Sequence, residues 1–416
     1  MRFPTLDAWL AWQETLHPRA IDLGLERVAV VARRLGLDKP SCTTVTVAGT
    51  NGKGSSVAML EAVLRAAGRR VGAYTSPHLL RYNERIRIDG SEIDDASLMA
   101  AFERVDQARG DTTLSYFEFG TLAALLLFAE AGLDLQLLEV GLGGRLDAVN
   151  VVAADVALVT RVDLDHCDWL GDDRESIGRE KAGIFRCGRP AIVADPRPPA
   201  TLAETAAEVG ADLRLRGRDF DIARLGADGR WDWTGRKWRF QGLPAPALTG
   251  VHQYDNAAGV LAALEALPGG LAPPREAVAE GLAAVRLPGR LERRAGRVPL
   301  LLDVAHNPDA CARLASYLAA NPVPGRTLAV LGVLADKDLA DMLAPLRDRV
   351  DAWYAATTAG TRGLSAEALA MRLRDAGIEP AGQGRVAALV TELQRTAVPG
   401  DRILVFGSFL TVAEAL

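Results

Sequence analysis

Short apolar runs recur along this chain, each followed by a longer stretch of helical periodicity, and that alternation restricts the possible folds most. Residues 43–48 (TTVTVA), 135–140 (LQLLEV) and 156–160 (VALVT) read as buried strands. Residues 56–67 read as a helix with Val57, Leu60 and Leu64 on one face, and residues 121–131 as another ahead of the second strand. Strands and helices in this order imply an α/β fold, a mainly parallel sheet covered by helices. The rhythm breaks once, in DGRWDWTGRKWRFQGL, where Trp231, Trp233, Trp238 and Phe240 are spaced by two within each arm around Thr234-Gly235. That spacing predicts a β-hairpin. Arg230, Arg236, Lys237 and Arg239 interleave with the rings, so base stacking on a single strand is the alternative to a half-buried hairpin with a solvated basic face.

With 416 residues the chain exceeds the size of one hydrophobic core, so two domains are expected. A helix at 252–267, a turn at Pro273-Pro274, a helix ending near Val285 and the linker RLPGR (286–290) set the boundary, giving domains 1–287 and 288–416. The βα rhythm restarts in the second, with strands at 300–304, 327–333, 352–356 and 403–406. A net charge of −5 gives no support to a nucleic-acid partner. The apolar run around 122–129 is far shorter than the ~20 residues that span a bilayer. MRFPTLDAWLAWQ has no basic segment followed by an apolar core, and Cys42, Cys167, Cys187 and Cys311 form no CxxC pair, so the expected location is the cytoplasm, with reduced thiols.

Chemistry concentrates where strands end. VAGTNGKGSS lies between the first strand and its helix, the context of a phosphate-binding loop, yet only Thr50 and Asn51 separate Gly49 from Gly52, and Gly54 precedes Ser55. The glycines let N–H groups converge on an anion, Lys53 supplies a mobile positive charge, and a helix starting near Ser55 adds its positive end. A structural turn with an incidental lysine is the alternative. Glu139 closes LQLLEV, where it serves either a cation or a salt bridge to Arg145. RVDLDHCDWLG places Asp163, Asp165, His166 and Asp168 at another strand end, the edge where open α/β sheets bind ligands. Lys181, in SIGREKAGIF, reads on its own as a surface helix lysine. In LLDVAHNPDA, Asp303 could accept from a ribose hydroxyl, and His306 either meets a phosphate or caps the next helix.

Together VAGTNGKGSS, YTSPHLLRYNERIRI, YFEFGTLAAL, LLEVGLGGRLDAVN, DLDHCDWLGDDRESIGREKAGIF, PGR and LDVAHNPDA resemble the folylpolyglutamate synthase/dihydrofolate synthase family, a branch of the Mur-ligase superfamily. The resemblance runs from about residue 21 to 309, with weaker agreement through GVLADKD and GSFLTVAEAL. In that family the loop is GTNGKG followed by Ser or Thr, so the irregular spacing is its signature. The fold implied is an N-terminal P-loop-type ATPase domain like the Mur-ligase central domain, with a hairpin insertion, plus a smaller Rossmann-like C-terminal domain.

The activity implied is ATP-dependent amide formation: a carboxylate becomes an acyl phosphate, and the amine of L-glutamate displaces phosphate. By resemblance Asn51, Gly52, Lys53, Gly54 and Ser55 hold ATP, together with Asn256, Arg290 and Asp303, and His306 belongs to the same site. Ser76, Glu139, His166 and a carbamylated Lys181 would ligate magnesium. The pterin-bearing substrate would meet Ile21, Asp22, Leu23 and Gly24, then Ser115 and Phe117, then Leu146, Asp147 and Ala148. A core Phe and a capping Asp are the plain alternatives for Phe117 and Asp147. Two magnesium ions, a potassium ion and ATP are the implied cofactors and co-substrate. Dihydropteroate, tetrahydrofolates and L-glutamate are the partners, bound by a monomer with residues of both domains meeting one ATP. The wording LDAVN and DHCDWLG favours the bifunctional bacterial enzymes over folylpolyglutamate synthase alone. A Mur-type enzyme for nucleotide-linked precursors would need a further domain before Val47, and an ATPase switch leaves REKAGI and DVAHNP without purpose.

Overall fold

The computed structural model describes residues 2–19, 21–360 and 362–416, which form two compact units. Unit 1 comprises Met1–Ala247 and Gln253–Arg286, and unit 2 comprises Leu248–His252 and Leu287–Leu416.

Unit 1 is built on β1 (Thr43–Ala48), β2 (Val71–Tyr74), β3 (Ile86–Ile88), β4 (Ser91–Glu92), β5 (Leu135–Glu139), β6 (Val156–Val159), β7 (Pro190–Val193) and β8 (Asp212–Leu215). They pair in the order β4-β3-β2-β5-β1-β6-β7-β8. Every pairing from β2 to β8 is parallel, while β3 and β4 add an antiparallel edge. Because β1 sits between β5 and β6, with Val47 opposite Glu139 and Ala48 opposite Val159, the segments leaving these three strands emerge side by side. Helix Tyr116–Glu130 is apolar on nearly every face and buried accordingly.

The predicted hairpin is present as β10 and β11 of a three-stranded antiparallel sheet: β9 (Asp221–Leu225), β10 (Trp231–Thr234) and β11 (Arg239–Leu243). Trp231, Trp233 and Phe240 are buried, and Arg236 is paired with Asp212 at 2.7 Å and Asp219 at 2.9 Å. These rings therefore serve packing, and base stacking has no exposed faces of theirs to use.

Unit 2 contains β12 (Glu292–Arg294), β13 (Leu300–Asp303), β14 (Thr327–Leu331), β15 (Ala352–Thr357), β16 (Gly382–Arg385) and β17 (Arg402–Phe406). Their order is β12-β13-β17-β14-β15-β16, parallel except for β12. The strands read from sequence are all present; β16, Gly-rich and half-exposed, carries no apolar signal to betray it. Among the described residues, no helix is long and apolar enough to cross a membrane.

Candidate active site

The loop after β1 is shaped by glycines in conformations that side chains resist. Gly52 has φ +94°, and a Cβ there would lie 2.4 Å from Asn256 Oδ1; on Gly49 a Cβ would lie 1.9 Å from Thr160 Oγ1. The turn at Gly52 starts the helix Lys53–Ala66 three residues earlier than the apolar pattern predicts, because Lys53, Gly54 and Ser55 carry no periodic signal. Those residues therefore form the first turn, where backbone N–H groups lack intrahelical acceptors. No side chain caps this helix start. Lys53 folds back, its Nζ donating to Gly49 O at 2.9 Å and Thr50 O at 3.1 Å. The loop is stapled to the segment after β6: Thr50 N–H donates to Arg161 O at 2.6 Å, and Thr160 Oγ1 donates to Asn51 O at 2.8 Å. Ser55 is buried beneath, where Gln253 Nε2 reaches its Oγ at 3.4 Å and Asn256 Nδ2 donates to Gln253 Oε1 at 2.9 Å. Sequence reasoning missed Gln253. Its signal was a second amide three residues before Asn256, on the same face of the helix His252–Glu265.

Three neighbouring strand ends supply further groups. Glu139, the last residue of β5, is buried and accepts the Ser76 N–H at 3.1 Å, so these two predicted ligands are brought together. The alternative partner for Glu139, Arg145, pairs with Glu180 at 2.8 Å. His166 has φ +54° and follows Asp165, whose carboxylate lies 4.0 Å from its Nε2.

Lys181 is no surface lysine: it is 3% exposed. The packing that buries it depends on GLGGR, since a Cβ on Gly144 would come within 2.9 Å of Glu180 O and 3.1 Å of Lys181 O. Burial, reinforced by the positive charge of Lys53, brings the Lys181 ammonium down to about 7 despite Asp165, Asp147 and Glu180. A substantial neutral-amine fraction therefore exists at neutral pH. Among the described residues no three His, Cys, Asp or Glu side chains group to hold a metal ion, so a cation here would need donors of other kinds.

The predicted pterin segments meet through two charges that were not foreseen. Ser115 caps the helix Tyr116–Glu130 in a reciprocal box with Glu118. Glu118 pairs with Arg27 at 3.1 Å, Arg27 with Asp22 at 2.6 Å, and Asp22 with His17 at 3.0 Å. Residues 21–24 are thereby tied to the helix start that carries Ser115 and Phe117. The Phe117 ring lies against the backbone of Gly141, where a Cβ would be 2.7 Å away, and 5.8 Å from the Tyr74 ring. Leu146, Asp147 and Ala148 follow on that same loop, with Leu146 half-buried and Ala148 buried at the start of a short 3-10 helix.

Asp147 caps this 3-10 helix, accepting from Leu142 N–H at 2.8 Å and Val149 N–H at 3.1 Å. Burial pushes its carboxyl up to about 7, against those donors and Lys53. The folded state thus keeps a proton that the unfolded chain releases near 3.8. This group's contribution to stability therefore falls as pH rises from about 4 to 7. Asp147→Asn is expected to remove that fall, measured by urea unfolding at pH 5 and pH 7.5; an unchanged pH dependence would count against it.

In unit 2, Asp303 ends β13 and accepts from Leu291 N–H and Ala305 N–H, each at 2.9 Å. Burial raises its pKa, opposed by the charge of Arg290. Arg290 lies over the Phe409 ring at 5.0 Å, and His306 lies 6.0 Å from the same ring. His306 is not the helix cap; Asn307 takes that place, accepting from Ala310 N–H, while His306 Nδ1 sits 2.8 Å from Val304 O. Arg290 and His306 thus flank Phe409, a residue with no polar atom to mark it in sequence, and both place positive charge near Asp303.

Two family models match the chain: the Mur ligase middle domain over residues 47–208 and the Mur ligase glutamate ligase domain over residues 289–409. A phosphate loop on a parallel sheet, followed by that second domain, defines an ATP-dependent, ADP-forming ligase. The dihydrofolate synthase/folylpolyglutamate synthase of Escherichia coli K12 is 48% identical over 415 residues, covering 99% of this chain and 94% of that protein. A solved structure of E. coli FolC with DHPP and ADP superposes with a TM-score of 0.94 at 48% identity, covering 99% of this chain and 97% of the other. Another, of a bifunctional folylpolyglutamate synthase/dihydrofolate synthase with Mn, AMPPNP and L-glutamate bound, gives 0.90 at 47% identity over the same shares. The chain belongs to the dihydrofolate synthase/folylpolyglutamate synthase family.

Proposed function

We propose that this ligase joins L-glutamate to dihydropteroate and also extends the glutamate tail of tetrahydrofolates. The observation that carries the site assignment is the placement of Lys181, a buried lysine electrostatically coupled to Lys53 of the phosphate loop and to Asp147 of the pterin segment. A folded protein retains such a charge in its interior at a cost, which a functional role explains. Its neutral amine can take up carbon dioxide, forming an N–C bond and releasing one proton, which leaves an anionic carbamate.

Glu139, Ser76, His166 and the Lys181 carbamate would then offer hard oxygen donors and one imidazole to two magnesium ions, a donor set that fits that cation. Bound magnesium neutralises charge on the phosphate oxygens. The phosphate loop, Asn51 to Ser55, holds the triphosphate with Asn256, and Lys53 faces the phosphoryl group in transfer. Arg290, Asp303 and His306 of unit 2 are assigned to the nucleotide.

Residues 21–24, Ser115, Phe117 and 146–148 hold the pterin, Phe117 by ring contact and Asp147 by accepting from its amino groups. A substrate carboxylate oxygen attacks the γ-phosphorus and ADP leaves. The amino group of glutamate then attacks the acyl carbon, the C–O bond to phosphate breaks, and an amide, phosphate and a proton result. A potassium ion, a monomeric state and a cytoplasmic location complete the proposal.

The deciding experiment is an acceptor screen: ADP release with ATP, magnesium and glutamate, using dihydropteroate, tetrahydrofolate or its monoglutamate. Glutamate-dependent turnover with both acceptor types is the expected result. Turnover with tetrahydrofolates alone reduces the activity to folylpolyglutamate synthesis, and turnover indifferent to acceptors makes the chain an ATPase switch.

A further inference from the structure

Arg87 has no part in the site described so far, yet it joins two of that site's elements. It lies on β3, outside the parallel part of the sheet. Its guanidinium forks onto Glu61, with Nε to Oε2 at 3.0 Å and Nη2 to Oε2 at 2.8 Å. Nη1 turns the other way, donating to Thr75 Oγ1 at 3.2 Å and Glu84 O at 2.9 Å.

Glu61 belongs to the helix that begins at Lys53, two turns further along, and its side chain is 7% exposed. Thr75 immediately precedes Ser76, whose N–H is on Glu139. A half-buried ion pair, here two N–H groups converging on one carboxylate oxygen, is dear to form and pointless on packing grounds alone, since an apolar pair fills such space at least as well. What an apolar pair lacks is direction: a planar fork with a third N–H group fixes distance and angle between the elements it touches.

We infer that the Glu61–Arg87–Thr75 chain is a positioning device, setting Ser76 and Glu139 at a defined distance from the phosphate helix so that metal and triphosphate are met together. The inference rests on the proposed roles of Ser76 and Glu139. Glu61, Arg87 and Thr75 touch neither substrate nor metal and act through Ser76. Partners that orient metal ligands typically govern affinity by about tenfold or more.

The test is manganese binding in the presence of AMPPNP, followed by electron paramagnetic resonance, beside the melting temperature of the unliganded protein. Glu61→Gln keeps the shape but removes the charge that holds the fork. Thr75→Val removes only the hydroxyl leg and leaves the ion pair in place, so it reports even where Glu61→Gln fails to fold. Both are expected to weaken manganese binding, Glu61→Gln by about tenfold or more, with nucleotide affinity in the absence of metal unchanged. Arg87→Lys, which keeps the charge without the fork, is expected to fall between Glu61→Gln and the parent.

Folded variants of Glu61 and Thr75 that bind manganese as the parent does would overturn the inference. Ser76→Ala separates this from the underlying reading. If it weakens binding while the other two do not, only the positioning role fails; if it too binds as the parent, the metal assignment of Ser76 fails and the inference with it.

Discussion

Lys181→Ala is expected to lower glutamate-dependent ADP release by about a hundredfold or more, the scale of losing one charge-stabilising group in a desolvated site. Part of that loss should return when a short carboxylic acid such as acetate is added, because a free carboxylate can occupy the space of the missing carbamate. The reason lies in the surroundings of the side chain. It is 3% exposed, and burial together with Lys53 lowers its ammonium to about 7, which leaves neutral amine for carbon dioxide at working pH. An ammonium in that place would repel magnesium, whereas a carbamate would bind it. Full activity in the alanine variant would remove the carbamate from the mechanism. Activity lost beyond rescue, with an unchanged melting temperature, would assign the lysine a role as a cation.

Lys53→Met is expected to cost about a hundredfold to a thousandfold in the same assay, and no added acid should restore it. Nζ sits over its own loop, on Gly49 O at 2.9 Å and Thr50 O at 3.1 Å, and is expected to turn from these carbonyls to a phosphate once one is bound. Phosphoryl transfer needs charge neutralised more than it needs covalent help, so the loss should appear in single-turnover rate and in ATP affinity together. Methionine keeps the length of the side chain, so the fold should survive. A second effect follows from the coupling of the two lysines. Without the Lys53 charge, the Lys181 ammonium should titrate higher, making carbamylation slower at a given pH. A single-turnover rate equal to the parent's would show that Lys53 does not meet the transferring phosphate.

The elements lying on the sheet were legible in sequence wherever apolar runs were long. Strands 43–48, 135–140 and 156–160 and the four named in the second domain are all present within a residue or two. The start of the helix Lys53–Ala66 was not, because the residues that begin it, Lys53-Gly54-Ser55, carry no apolar periodicity and include a glycine, and are placed there by the turn at Gly52. The glycine-lysine loop proposed to hold phosphate was visible because its glycines and lysine stand close together along the chain. Lys181 was different: only the resemblance singled it out, since nothing in REKAGI distinguishes a buried lysine from an exposed one.

By itself the sequence determined the α/β character, the hairpin, the place of the GTNGKG loop between strand and helix, and the family. These depend on local periodicity and on groups adjacent along the chain. Only the tertiary structure decided which distant charges meet, Arg27 with both Asp22 and Glu118 and Glu61 with Arg87, and that Lys181 is buried within the field of Lys53. The physical reason is that desolvation and Coulomb interactions are set by distances in space and by the exclusion of water, and neither is a property of spacing in sequence.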